Sequence, residues 1–232
     1  MLKTAEEEDP MGVMIELTTK DGTKIGAYKA VPEGKPRGGM VVLQEIFGVN
    51  HHIRNVTDRF AAQGYLAIAP ALFDRVGTDI QLGYNPDDMK KGMETMSKKK
   101  MAETMADVEA AIAAASEAGP VGVIGFCWGG TLAYAAATQF PVAAAVGYYG
   151  GGIAGIVADR LKAPVELHFG EQDTHIPMSD VEKIKKAHPG MAIYTYPAGH
   201  GFNCDERGSY DKASADLART RSLEFFARHI HA

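Results

Sequence analysis

The chain has 232 residues, 46% of them hydrophobic and 23% charged, which is enough apolar material for a full core and excludes wholesale disorder. Its 24 lysines and arginines against 29 aspartates and glutamates leave a net charge of −5, which argues against nucleic acid as a partner. Two cysteines, Cys127 and Cys204, are too few for a disulfide scaffold, and no apolar run approaches the roughly 20 residues of a membrane span.

Residues 1–10 are polar, with Glu6, Glu7, Glu8 and Asp9 where a secretory signal would need an apolar stretch. They are expected to form a flexible tail ahead of a single domain, 11–232, in the cytoplasm with reduced thiols. Asp21-Gly22 between the runs 14–18 and 24–28 predicts an antiparallel hairpin. Residues 39–43 and 66–69 then read as strands without alternation, separated by a helix near 51–63. Pro70, Gly77, Gly83 and Pro86 break 70–92 into a loop or excursion. A long helix is expected over 98–118, where Lys98, Lys99 and Lys100, with Glu94 and Glu103 nearby, read as a solvated face. Strands follow at 121–125, 142–146, 165–169 and 192–196, alternating with helices at 128–138 and 178–187. A last helix near 210–230 is expected to turn Leu217, Leu223, Phe225 and Phe226 toward the core. Short continuous apolar strands alternating with helices predict an α/β architecture, a mostly parallel central sheet with helices on both faces.

Glycine is over-represented, 26 of 232 residues against a usual ~7%, and several glycines sit at strand ends. In Gly125-Phe126-Cys127-Trp128-Gly129-Gly130 a strand ends, a glycine-flanked cysteine follows, and an alanine-rich helix begins. This is the Gly-x-Ser-x-Gly nucleophile elbow with Cys127 in the serine position. The flanking glycines remove side chains that would clash at the sharp turn, and the helix N-terminus favours a thiolate. A nucleophile needs a base and an orienter. His200, between Gly199 and Gly201 just after a strand, is the base candidate; His175 is a weaker one, and His168 reads as a core histidine. His51 and His52 begin a helix, and His188, His229 and His231 read as surface residues. Asp173, in the turn after the strand 165–169, is the acid candidate, with Glu171 as its competitor. Cys127, Asp173 and His200 follow each other in the nucleophile–acid–histidine order of α/β-hydrolases.

Together with Gln44-Glu45-Ile46-Phe47-Gly48, the 170–177 turn and Gly199-His200-Gly201-Phe202, the elbow resembles the dienelactone hydrolase (carboxymethylenebutenolidase) family. The resemblance implies an α/β-hydrolase fold and a Cys-His-Asp triad that cleaves an enol-lactone or ester through a thioester. It implies that Glu45 accepts the thiol proton and that the Ile46 and Trp128 backbone N–H groups form the oxyanion hole. It further implies substrate contacts from Phe47 and from arginines that hold a substrate carboxylate. Arg75 matches one of these arginines in position. Where the family pattern carries the second, this chain has Cys204, read as a wall residue; either Arg207 folds back to substitute or the substrate differs. The expected partner is a small lactone or ester, anionic in character, with the chain as a monomer or small homo-oligomer. No metal or cofactor is expected, since neither His-Glu-x-x-His nor a glycine-rich phosphate loop is present. The competing readings are a broad short-chain carboxylesterase on the same residues and a non-hydrolytic thiol-redox or binding protein.

Overall fold

In a computed structural model that describes residues 12–230, the chain opens on the expected hairpin. Strands β1 (Val13–Thr18) and β2 (Lys24–Ala30) pair antiparallel around Gly22, whose φ of +82° suits a residue without a Cβ. There follow β3 (Gly39–Leu43), α1 (His51–Ala62), β4 (Leu66–Pro70), α2 (Pro86–Ser97), α3 (Met101–Ala115) and β5 (Val121–Phe126). The chain continues through α4 (Trp128–Gln139), β6 (Ala144–Tyr148), β7 (Val165–Gly170), α5 (Met178–Ala187), β8 (Ala192–Tyr196) and α6 (Lys212–His229). The expected tail 1–10 lies outside the described residues.

The eight strands form one sheet in the order β1-β2-β4-β3-β5-β6-β7-β8, parallel from β4 to β8 and antiparallel at the β1 edge. Strands β3 to β7 are buried along their whole length, which is why their sequences run apolar without alternation. Strand β5 shows how both faces are covered. A Cβ on Gly122 would strike Phe226 and Ile230 at the end of α6, whereas one on Gly125 would strike Gly129 in α4. Phe60 of α1 packs edge-on against Phe226, so α1 and α6 share one face while α4 occupies the other. The chain leaves β3 for β4 on one side and returns to β5 on the other. Ligands of such sheets bind at this reversal, beyond the carboxyl ends of the strands. Among the described residues, no helix is long and apolar enough to cross a membrane.

Four expectations change. The 70–92 excursion ends in a helix, α2, capped by Asn85, whose side chain accepts from Asp88 N, with Pro86 in its first turn. The helix expected over 98–118 begins only at Met101, and Lys99 is not solvated: its side chain is 2% exposed and its ammonium lies 3.3 Å from the buried Asp107. Strand β6 starts at Ala144 rather than residue 142. In α6 the buried face is Ala215, Ala218, Ser222, Phe225 and Phe226, which leaves Leu217 pointing outward at 47% exposure.

Candidate active site

The carboxyl ends of β3, β5, β6, β7 and β8 meet at one rim, and Glu45, Cys127, Asp173 and His200 lie there. At the end of β5 the chain turns directly into α4. Cys127 is the N-cap of that helix, with φ 55° and ψ −117°, a conformation that costs a non-glycine residue about 1–3 kcal/mol. The turn is held because the Cys127 amide donates to Tyr148 O at 3.0 Å and its carbonyl accepts from Gly130 N at 2.9 Å. The glycines are steric requirements. A Cβ on Gly125 would lie 1.9 Å from Gly129 O, and one on Gly129 would lie 2.4 Å from Leu43 O. The second clash concerns β3, so the same glycine lets the elbow close against the strand that carries Glu45.

Asp173 and His200 come together from the ends of β7 and β8. Gly170 allows the two strand ends to approach, since a Cβ there would meet Ala198 O at 2.3 Å. Asp173 Oδ1 accepts from the amides of His175 (2.8 Å) and Ile176 (3.2 Å), which leaves Oδ2 to accept from His200 Nδ1–H at 2.7 Å. Burial alone would raise the Asp173 carboxyl; the His200 bond and the two amides outweigh it and lower it. Burial would likewise lower His200, but its bonds to Asp173 and then to the Cys127 sulphur raise it to about 9. The side chain of His200 therefore touches both Asp173 and Cys127. Glu171, the competing acid, is exposed and accepts from Thr195 Oγ1 instead. His175 packs its ring 5.2 Å from that of His200 without replacing it.

Glu45 follows β3 and is almost fully buried. Gln44 fixes this segment by accepting from Leu72 N (3.0 Å) and donating to Glu45 O (3.1 Å). Glu45 Oε1 accepts from Arg207 Nη1 at 3.0 Å, while Oε2 has no hydrogen-bond partner among the described residues. Arg207 thus folds back to the site, with its guanidinium carbon 5.7 Å from the ring centres of both Phe47 and Tyr84. Gly201 makes room for it, since a Cβ there would meet Arg207 Nη1 at 2.5 Å. Phe47 is buried against Tyr84, forming the floor beneath Arg207. Among the hydrogen bonds of the described residues, neither the Ile46 amide nor the Trp128 amide donates to another group.

Arg75 is a correction. Its side chain is only 11% exposed and is committed elsewhere: Nε donates to Asp107 (2.7 Å), Nη1 to Asp21 (2.9 Å) and Thr23 (2.9 Å). Asp107 is fully buried and needs a cation; Arg75 and Lys99 supply it. The guanidinium therefore ties the β1–β2 hairpin to α3 and is not free to hold a substrate carboxylate.

Sequence reasoning missed three features. His52, in the first turn of α1, is fully buried, with Nδ1 3.3 Å from Asp205 Oδ1 and Cys204 beside it. Burial would lower this imidazole, but Asp205 and then Cys204 raise it to about 10. His52, Cys204 and Asp205 bring one donor atom each within 4.8 Å of one another, a set that could accept a metal, although Asp205 is also paired with Arg59 at 2.9 Å. Likewise, His188 is not a free surface residue, because its Nε2 pairs with Tyr134 Oη at 2.9 Å. Tyr149, directly after β6, is fully buried beside His200; its place at a strand's carboxyl end was the available signal.

Comparison with known proteins gives the chain's family. The family model described as "Dienelactone hydrolase family" matches residues 25–230. A provisionally named carboxymethylenebutenolidase of Synechocystis sp. is 39% identical over 211 residues, covering 82% of this chain and 86% of that protein. "Carboxymethylenebutenolidase 1" of Cupriavidus pinatubonensis is 29% identical, covering 92% and 95%. The crystal structure of a provisionally named dienelactone hydrolase from Klebsiella pneumoniae superposes with a TM-score of 0.82 at 34% identity, covering 93% of this chain and 98% of that one.

Proposed function

Because this chain belongs to the dienelactone hydrolase family of α/β-hydrolases, enzymes that act on small-molecule esters or lactones, we propose that Cys127, His200 and Asp173 are its nucleophile, base and orienting acid. The observation that carries the reading is the 2.7 Å bond from His200 to Asp173, with the same imidazole against the Cys127 sulphur at a strained elbow.

The thiolate attacks the ester or lactone carbonyl, forming the S–C bond while the C=O pair moves onto oxygen. The Ile46 and Trp128 amides, which donate to nothing else among the described residues, stabilise that charge. Collapse breaks the C–O bond, its electron pair passes to the leaving oxygen, which takes the proton held on His200, and a thioester remains on Cys127. Acylation also ties up the Cys127 sulphur beside His200 in a thioester. One of the influences holding its proton is then gone, so the imidazole becomes a better base for the water that cleaves the thioester. Asp173 keeps Nδ1 protonated and the ring in place throughout. Glu45 is the first acceptor of the thiol proton. In the resting site it is paired with Arg207, and the other guanidinium nitrogens of Arg207 make no hydrogen bond among the described residues. A substrate carboxylate would compete for that arginine and free Glu45, which favours an anionic substrate. Residues 11–232 serve as one catalytic domain.

Rapid quenching with an aryl ester followed by intact-mass measurement tests this. The wild type should gain one acyl group on Cys127, His200→Ala should accumulate it, and Cys127→Ala should neither gain it nor turn over. Turnover at the wild-type rate in Cys127→Ala would sink the assignment.

A further inference from the structure

Helices α1 and α6 lie on one face of the sheet and touch where Phe60 meets Phe226, over the start of β5 at Gly122. Farther along β5 a cavity of about 250 Å³ lies between them, over Ile124 and Phe126. Residue size is the cause. The α6 turn that carries Phe225 and Phe226 fills its share of the interface, whereas the turn before it faces the cavity with the small Ser222. Close-packed interiors rarely keep a void of this size, and an apolar cavity of about 150 Å³ already holds benzene. None of the residues assigned above to the reaction lines this space, so it is separate from the catalytic rim.

The lining fixes what would fit. Phe60, Ile124, Phe126 and Leu223 give it apolar walls. The hydroxyls at its base are already paired: Tyr148 Oη lies 2.8 Å from Ser222 Oγ, and Ser222 Oγ lies 3.0 Å from His168 Nε2. The deep end therefore asks for carbon rather than for a polar group. Arg59 and Arg219 also line the cavity, and their side chains are 42% and 39% exposed, which puts them at its mouth. No acidic side chain is among the described lining residues.

Both guanidinium groups keep donors to spare. Arg59 donates from Nη2 alone, to Asp205 at 2.9 Å, and its other nitrogens make no hydrogen bond among the described residues. Arg219 makes none at all there; its ion contact is 3.5 Å to Asp216, a carboxylate that Lys212 holds more closely. A guanidinium fork matches a carboxylate, and at a half-exposed mouth that carboxylate stays partly hydrated. We propose that the cavity between α1 and α6 binds a small monocarboxylate, its apolar body over Ile124 and Phe126 and its carboxylate at Arg59 and Arg219. Two arginines repel a cation, and the walls offer a polyanion no further donor. The inference does not depend on which residue is the nucleophile.

The probe is 3-phenylpropanoate, with 3-phenylpropanol as its neutral counterpart, and binding is read by titration calorimetry on the full chain. The acid should bind one per chain with a Kd on the order of 0.1–1 mM, as suits a ligand of this size. The alcohol should bind roughly 3–10-fold more weakly, and Arg219→Gln should weaken the acid by a similar factor, the range of a partly exposed charged contact. Leu223→Trp fills the cavity from α6 and should abolish binding while aryl-ester turnover continues. Should that variant lose turnover through misfolding, Val56→Phe fills the cavity from α1 and should give the same result. No binding of the acid to the wild type overturns the proposal. So does an unchanged affinity in a folded cavity-filling variant, because the acid then sits elsewhere. Equal affinities for acid and alcohol overturn the role of the two arginines and with it the ligand class.

Discussion

Asp173→Asn removes the carboxylate that receives His200 Nδ1–H at 2.7 Å, and its signature is a change in how stability depends on pH. The side chain of His200 is 13% exposed and that of Asp173 is fully buried, so solvent screens their pair little. The imidazole titrates at about 9 in the fold, against 6.5 for an ordinary histidine. That interval is worth about 3 kcal/mol, at about 1.4 kcal/mol per pH unit. Because the folded value is the raised one, the full contribution is present below pH 6.5. Above pH 6.5 the unfolded chain releases this proton while the native chain still holds it, so stability declines until about pH 9. Urea unfolding of wild type and Asp173→Asn at pH 6, 7.5 and 9.5 isolates the effect, because other groups, His52 included, titrate in both proteins. Burial and the Cys127 sulphur act on His200 in both. The wild-type curve should therefore drop about 2–3 kcal/mol further across the window than that of the variant. Parallel curves would refute an Asp173–His200 pair in the native state.

Arg207→Met should leave the buried Glu45 carboxylate without its ion partner and cost about 3–5 kcal/mol, read by denaturant unfolding. In the same variant kcat/KM should fall more for an anionic enol-lactone than for a neutral nitrophenyl ester; equal losses would argue against Arg207 as the carboxylate anchor. Arg75→Met should destabilise by about 2–4 kcal/mol, because Asp107 keeps only Lys99 at 3.3 Å, yet leave the KM for both substrates unchanged. A raised KM for the anionic substrate alone would return Arg75 to the binding site.

Much of this protein was legible one segment at a time. The Asp21-Gly22 hairpin, the unbroken apolar strands and the elbow around Cys127 are local devices, each written in a few consecutive residues because backbone sterics and strand burial act over that range. The order of Cys127, Asp173 and His200 could be read because each follows a strand, and parallel strands deliver their carboxyl ends to one rim. Choices among partners were not legible. The charge pattern reads Lys99 as solvated and the family resemblance reads Arg75 as a substrate arginine, whereas Asp107 brings both to one buried carboxylate. Arg207 reaches Glu45 across 162 residues of chain, and His52 reaches Asp205 across 153. Nothing in the spacing of those residues encodes the meeting. The cavity between α1 and α6 belongs to the same class, since it is defined by what surrounds it. Backbone geometry is set by near neighbours in the chain. The pairing of charges and polar atoms is set by proximity in space, which only the folded sheet supplies.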